Sequence, residues 1–209
     1  MTSHKKILQI YNARKNILDI LEIYQEYDVS KYSNFSINEI DAMFKNNQLD
    51  MLVNHTIEDK KTYIKFAINS KQMRPQNLDD IIEDLFLSEN ILTLKDNLII
   101  ITEEEPNETI LTKMRYLYDH DGIYVVIHNI KRLQFNILKH SLVPAMGILT
   151  EKETAELMKT KFLKDLTQLP EIGRFDPQVL ALCVRPGQVC KIVRDSVTAM
   201  KTVYYRLCV

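Results

Sequence analysis

Tryptophan is absent from this chain of 209 residues, and glycine nearly so, with four, beside six prolines and three cysteines. So little glycine leaves no Gly-rich phosphate-binding loop anywhere in the sequence. Cys183, Cys190 and Cys208 form no C-x-x-C pair, and no histidine follows His140. That argues against a structural zinc motif and for reduced, buried thiols in an intracellular protein. Long apolar runs are missing too. Stretches such as "LIII" (98–101) are far too short to span a membrane, and "MTSHKKILQIYNARKN" lacks the continuous apolar core of a signal peptide. Nor does one sign of charge prevail: 27 Lys and Arg against 28 Asp and Glu leave a formal charge of −1. An autonomous, charge-driven nucleic-acid binder usually reads basic overall.

What is present is globular. Apolar residues make up 45% of the chain, and its length suits one large domain or two small ones. Charge is unevenly placed, with ten acidic residues against Lys95 alone between Leu78 and Glu108, and five basic residues against Asp195 alone between Arg185 and Arg206. Apolar residues Ile7, Ile10, Tyr11, Ile17, Leu18, Leu21 and Tyr24 recur at helical spacing and predict an amphipathic helix over 5–27. Its polar side carries Lys5, Lys6, Arg14 and Lys15, as a solvated face or an anion contact. Ser36 with Glu39 predicts a capping box and a second helix. Strands are expected at 49–55, 62–68, 97–102, 123–129 and 133–138. Helices are expected at 77–86, capped by Asn77, and at 109–118. The alternation predicts an α/β or α+β domain ending near residue 140.

A second capping box, Thr150 with Glu153, opens a small C-terminal unit. Most of the scarce rigid and permissive residues crowd into it: Pro170, Gly173, Pro177, Pro186 and Gly187. Leu169-Pro170 ends a helix, Asp176-Pro177 starts a short one as N-cap and N1, and Arg185-Pro186-Gly187 turns the chain into a strand. The strands "QVCKIV" and "TVYYRLCV" are part apolar and part basic on both faces. One short helix cannot cover such a sheet, so an exposed mixed face is expected to meet another protein.

Catalytic motifs are few. "DHDG" (119–122) reads as a helix-to-strand turn, because the carboxylates of a metal loop do not follow at their spacings. His55, His120, His128 and His140 are scattered without a nucleophile. Asp50 followed by Tyr63-Ile64-Lys65 has the layout of a metal-dependent nuclease, but Tyr63 stands where the second carboxylate belongs. A nuclease-like fold without its metal site is expected, and no cofactor; a free-standing metal-dependent nuclease and a stand-alone transcription regulator are the alternatives.

The motifs "HSLVP" (140–144), "LTEKE" (149–153), "LPEI" (169–172), "DP" (176–177), "GQVCKIVRDSVTA" (187–199) and "YYRL" (204–207) resemble, in order and spacing, the C-terminal assembly domain of one family. This is the fifth subunit shared by the eukaryotic nuclear RNA polymerases, the counterpart of the archaeal H subunit. The N-terminal part matches more loosely, through the opening helix with Arg14, "YD" at 27–28, and "LIIITEEEP". The resemblance implies a non-catalytic polymerase subunit of α/β plus α+β class. Its N-terminal jaw domain (1–139) would be nuclease-like with a mixed sheet; its C-terminal assembly domain (140–209) would hold helices and a short sheet. The implied partners are the largest polymerase subunit, the sixth-subunit homologue and downstream double-stranded DNA. Pro177, Gly187, Lys191, Arg194, Ser196, Thr198, Tyr205 and Arg206 become the assembly residues, Pro177 and Gly187 chiefly through turns and core. Lys5, Lys6, Arg14 and Lys15 become the DNA-proximal ones, since phosphates repel the glutamates of the 103–108 loop. Two departures stand out. The family's final hairpin turn commonly holds a glycine, and here it reads "TAMKT". The bias towards Ile, Asn, Lys and Tyr fits an AT-rich genome and a copy encoded by a large DNA virus, working in the host cytoplasm and carried in the virion, or otherwise in the nucleus.

Overall fold

The computed structural model describes residues 3–68 and 73–209. The chain divides into two compact units, Met1–Asn136 and Ile137–Val209. Helices and mixed sheets combine in both, giving an α+β architecture in each.

The first unit opens with α1 (Ser3–Gln25). Ile7, Ile10, Ile17, Leu18 and Leu21 are buried along one stripe, whereas Tyr24, placed on that stripe by its spacing, is exposed. The unit's sheet has five strands in sequential order: β1 (Tyr27–Asp28), β2 (Met51–His55), β3 (Lys61–Ala67), β4 (Asn97–Thr102) and β5 (Val125–Asn129). The first three pair antiparallel; β3, β4 and β5 pair parallel through helical crossovers. Every residue of β4 and β5 is buried, which explains why "LIII" shows no polar alternation.

Local chemistry sets the helix ends. Ser36 caps α2 (Ile37–Lys45): its Oγ accepts from Glu39 N at 3.4 Å, and the Glu39 carboxylate accepts from Ser36 N at 2.7 Å. Asn107 Oδ1 accepts from Ile110 N at 3.0 Å and opens α4 (Glu108–Asp121), so this helix is longer than predicted at both ends. Gly122 closes α4 in the left-handed conformation (φ 71°), so "DHDG" is a helix end and turn.

Two predictions fail here. Asn77 does not cap a helix: α3 (Pro75–Ile82) begins with Pro75 at its first position and continues as a π-helix over Glu83–Ser88. Proline's fixed φ starts the helix two residues before the asparagine. Residues 133–138 form no strand but two 3-10 turns, Arg132–Gln134 and Ile137–Lys139. Gln134 Nε2 donates to Ile130 O (2.7 Å) and Gln9 O (3.1 Å), folding the segment back beside α1.

The second unit builds a four-stranded sheet ordered β6-β8-β9-β7 from β6 (Ala145–Ile148), β7 (Glu171–Ile172), β8 (Val189–Ser196) and β9 (Met200–Cys208). The two edge strands carry too short a pattern to be seen in the sequence. Helices α5 (Glu151–Thr160) and α6 (Pro177–Ala181) lie on opposite faces. Leu157 of α5 packs with Val189 and Leu207, and Val179 of α6 packs with Cys190 and Cys208. Two helices thus share the work assigned to one, and both cover the same end of the sheet. All three cysteines are buried. Burial pushes the Cys190 and Cys208 thiols up to about 11.

Candidate partner-binding surface

The β8–β9 hairpin is the longest feature of the second unit. Its register pairs Val189 with Leu207, Lys191 with Tyr205, Val193 with Val203 and Ser196 with Met200. Cross-strand partners share a face, so Lys191 and Tyr205 lie on the α5 side, and Arg194, Tyr204 and Arg206 on the α6 side. Near residues 189–192 and 207–208 both faces are packed, Lys191 excepted. Beyond them the hairpin runs out from under its helices: Val197 is fully exposed, Met200 is 85% exposed, and Val203 and Tyr204 are about half as exposed. Apolar surface of this kind, flanked by Arg194 and Lys201, is what a protein interface uses.

The predicted assembly residues divide by role. Arg194 stacks on Tyr204, its guanidinium carbon 4.1 Å from the ring centroid, and Nη2 donates to the Tyr204 hydroxyl at 2.7 Å. The pair is a pre-set basic and aromatic plate on the exposed half of the hairpin. Ser196 Oγ lies 3.4 Å from Thr198 Oγ1 and accepts from Ala199 N at 3.4 Å, so both hydroxyls shape the turn. Arg206 Nη1 donates to Glu171 O at 2.9 Å and ties β7 to β9. Tyr205 is half-buried against the Leu157–Val189–Leu207 core. Lys191 is exposed; it adds attraction to Glu153, whose carboxyl hydrogen bonds from Thr150 hold below its usual range. Pro177 follows its N-cap Asp176, whose carboxylate accepts from Gln178 N at 2.9 Å. Gly187 takes φ 89° at the third position of a type II turn closed by Gln188 N to Arg185 O at 3.1 Å. Pro177 and Gly187 are therefore architectural.

Reading residues one at a time missed the apolar tip, Val197 and Met200. It also missed Phe162, a phenylalanine 91% exposed in the left-handed conformation (φ 53°) just past α5. The signal for the tip was the turn "VTAM" itself, which places apolar side chains where a hairpin has nothing to pack them on. Met200 occupies the left-handed region (φ 57°), so the missing glycine leaves the turn geometry in place but strained.

The basic face predicted for α1 does not exist as such. Arg14 is 3% exposed, donates from Nη1 to Leu49 O at 3.1 Å, and lies over the rings of Tyr32 (5.7 Å) and Phe35 (5.2 Å). A guanidinium so placed gives α1 no open basic face for a DNA backbone; the rings of the 29–35 loop fold over it. Lys6 pairs with Glu103 and donates to Ile68 O at 3.3 Å. Only Lys5 and Lys15 of the four are exposed. The same contacts alter the acidic loop, since Glu103 meets Lys6 and Glu105 meets Arg132 Nε at 2.8 Å. Two of its three consecutive glutamates are thereby neutralised within the unit.

Asp50, Tyr63 and Lys65 do come together. Asp50 Oδ1 accepts from Phe66 N at 2.9 Å, Oδ2 accepts from the Tyr63 hydroxyl at 3.3 Å, and Lys65 Nζ lies 4.0 Å away. Burial, then the adjacent Asp50 carboxylate, push the Tyr63 phenol up to about 12. A neutral phenol donating to the carboxylate occupies an oxygen that a metal would need. Among the described residues no group of three or more His, Cys, Asp or Glu could hold a metal ion.

Comparison with known proteins agrees with the C-terminal geometry. The family model "RNA polymerase Rpb5, C-terminal domain" matches residues 135–208. DNA-directed RNA polymerase subunit Rpo5 of Thermococcus kodakarensis is 49% identical over 76 residues, 36% of this chain and 92% of that one. The Pyrococcus abyssi Rpo5 is 45% identical over the same shares. The subunit RPABC1 of DNA-directed RNA polymerases I, II, and III from Caenorhabditis elegans is 42% identical over 87 residues, 41% of each chain. With a hairpin and two packing helices over the matched residues, and most of the archaeal subunits' length covered, this chain belongs to the Rpb5/Rpo5 family, the shared fifth subunit of eukaryotic-type DNA-directed RNA polymerases.

Proposed function

We propose that the chain is a non-catalytic polymerase subunit whose second unit docks on the largest subunit, beside the sixth-subunit homologue, while its first unit supports the jaw near downstream DNA. The observation that carries this reading is the distal β8–β9 hairpin, with Val197, Met200, Val203 and Tyr204 exposed next to Arg194 and Lys201. Residues 137–209 hold eleven Lys and Arg against seven Asp and Glu, whereas residues 1–136 hold sixteen against twenty-one. The docking unit is therefore the basic one, and an acidic surface on its partner is expected. Contact with DNA is left to Lys5 and Lys15, through the phosphate backbone. The hydrogen-bonded Asp50 carboxylate and the neutral Tyr63 phenol favour a non-catalytic role over the nuclease alternative. The amino-acid bias supports a viral copy acting in the host cytoplasm; fluorescence of a tagged chain in infected cells distinguishes this from the nucleus.

A tagged chain purified from its source should recover the large polymerase subunits in fixed stoichiometry. Lys191→Glu with Arg194→Glu should lower that recovery and leave the fold intact by circular dichroism. A monomeric, polymerase-free pool, or undiminished recovery of the double variant, overturns the reading.

A further inference from the structure

The first unit contains a buried cation, Arg14, that lies over two aromatic rings but has no carboxylate among its described partners. Arg14 is 3% exposed, yet its one described hydrogen-bond acceptor is the Leu49 carbonyl, and its Nε is buried without a partner among the described residues. Burial pushes its guanidinium below the usual arginine range, with Tyr32 acting against that. A full charge taken out of water without an anion is costly, and native structures rarely tolerate it without a use. Beside Arg14 lies a cavity of about 300 Å³ between α1 and the 29–35 loop. That is the lower end of the range for small-ligand sites.

The cavity has a direction. Along α1 the lining runs from Tyr11 through Arg14, Lys15 and Leu18 to Asp19 and Glu22, and Val29, Phe35 and Ile40 add apolar wall. Eight residues of helix separate Arg14 from Glu22, about 12 Å along the axis. The wall is built rather than loose, because the Tyr32 hydroxyl accepts from Leu52 N at 3.2 Å and the Tyr32 and Ser33 amides both donate to Val29 O. Guanidinium offers a planar fork that matches a carboxylate. A dianion such as phosphate would be opposed by Asp19 and Glu22, whereas one carboxylate on an apolar body satisfies the Arg14 end and fills the middle.

We propose that the cavity between α1 and the 29–35 loop is a binding site for a monocarboxylate carried on an apolar or aromatic body, received by Arg14. The ligand is either a free small acid or a peptide's terminal carboxylate. This inference is independent of polymerase docking, which concerns the other unit.

The guanidinium N–H resonance of Arg14 in the full-length chain tests it directly, since the Leu49 carbonyl is its one described acceptor. Titration with 4-phenylbutyrate and with acetyl-Leu-Phe bearing a free carboxylate should move the resonance downfield and saturate for at least one of them. Response to the small acid alone assigns the site to a free carboxylate; response to the peptide alone assigns it to a chain terminus. The amide 4-phenylbutyramide and inorganic phosphate should leave the resonance in place. Arg14→Leu should fold, because leucine keeps an apolar side chain against Tyr32 and Phe35 and takes no charge out of water, and should weaken carboxylate binding about tenfold to a hundredfold, the worth of a charged hydrogen bond. No movement with either carboxylate, an equal response to the amide, or undiminished binding by Arg14→Leu overturns the proposal. Should Arg14→Leu not fold, the wild-type titration with its amide and phosphate controls still decides it.

Discussion

Replacing Met200 should push the stability of the free chain and the strength of its assembly in opposite directions. Met200 sits at φ 57°, where a side-chain-bearing residue pays about 1–2 kcal/mol, and Lys201 N to Ala199 O closes a tight bond around it at 2.6 Å. Met200→Gly removes that strain, and the greater freedom of glycine in the unfolded chain returns about 0.5–1 kcal/mol. The net gain is about 0.5–1 kcal/mol, or about 2–8 °C in the melting of a unit of this size. The side chain is 85% exposed, so almost no packing is lost in the free chain. If the largest subunit covers it, burying a methionine contributes about 1.5–3 kcal/mol to docking. Met200→Gly should then bind at least about tenfold more weakly while melting higher. Met200→Ala separates the two effects, since it keeps the strained backbone and removes the contact: weaker assembly, no gain in stability. Urea denaturation of the purified chains reads the first quantity. A competition pull-down, with wild-type and variant chains carrying different tags, reads the second. A loss of stability in Met200→Gly refutes the strain argument, and full competition by both variants refutes the docking role of the hairpin tip.

Three further outcomes follow from other positions. Gly187→Ala should destabilise the chain by about 1–2 kcal/mol in urea titrations, through its φ of 89°, because no atom of the described residues lies within 4 Å of the added Cβ. Thr150→Ala should cost about 1 kcal/mol by thermal denaturation, the loss of an N-cap whose hydroxyl accepts from Glu153 N at 3.3 Å. The Cys190 and Cys208 thiols, raised to about 11 by burial, favour the folded state fully below pH 9. That contribution should fade as pH climbs from 9 towards 11, so alkaline denaturation midpoints should rise in Cys190→Ala with Cys208→Ala relative to the pH 8 reference. At pH 8 neither thiol should react with a thiol reagent until urea unfolds the chain.

What could be read from the sequence is what a few neighbouring residues decide among themselves. Ser36 with Glu39, Thr150 with Glu153, and Asp176 with Pro177 form their caps in the folded chain, because each uses only groups within one helical turn. The fully apolar β4 and the turn at Pro186-Gly187 were legible for the same reason, as were the motifs that carry the family. Failures arose wherever a distant partner overrode a local pattern. Residues 133–138 look like a strand, but Gln134 finds Gln9 O, 125 residues away, and the segment turns instead. Asn77 is a good cap passed over because Pro75 had already started the helix.

Composition, spacing and turn chemistry by themselves determined the caps, the buried strand β4 and the C-terminal motifs that carry the family. Only the tertiary structure decided which charges are free. Arg14, Lys6 and Lys15 look alike on the polar side of α1, yet one is enclosed by Tyr32 and Phe35, one is neutralised by Glu103, and one reaches solvent. Helical periodicity gives the side of the helix on which a charge emerges. What waits there belongs to chain 18 to 97 residues further on, and no local pattern encodes it.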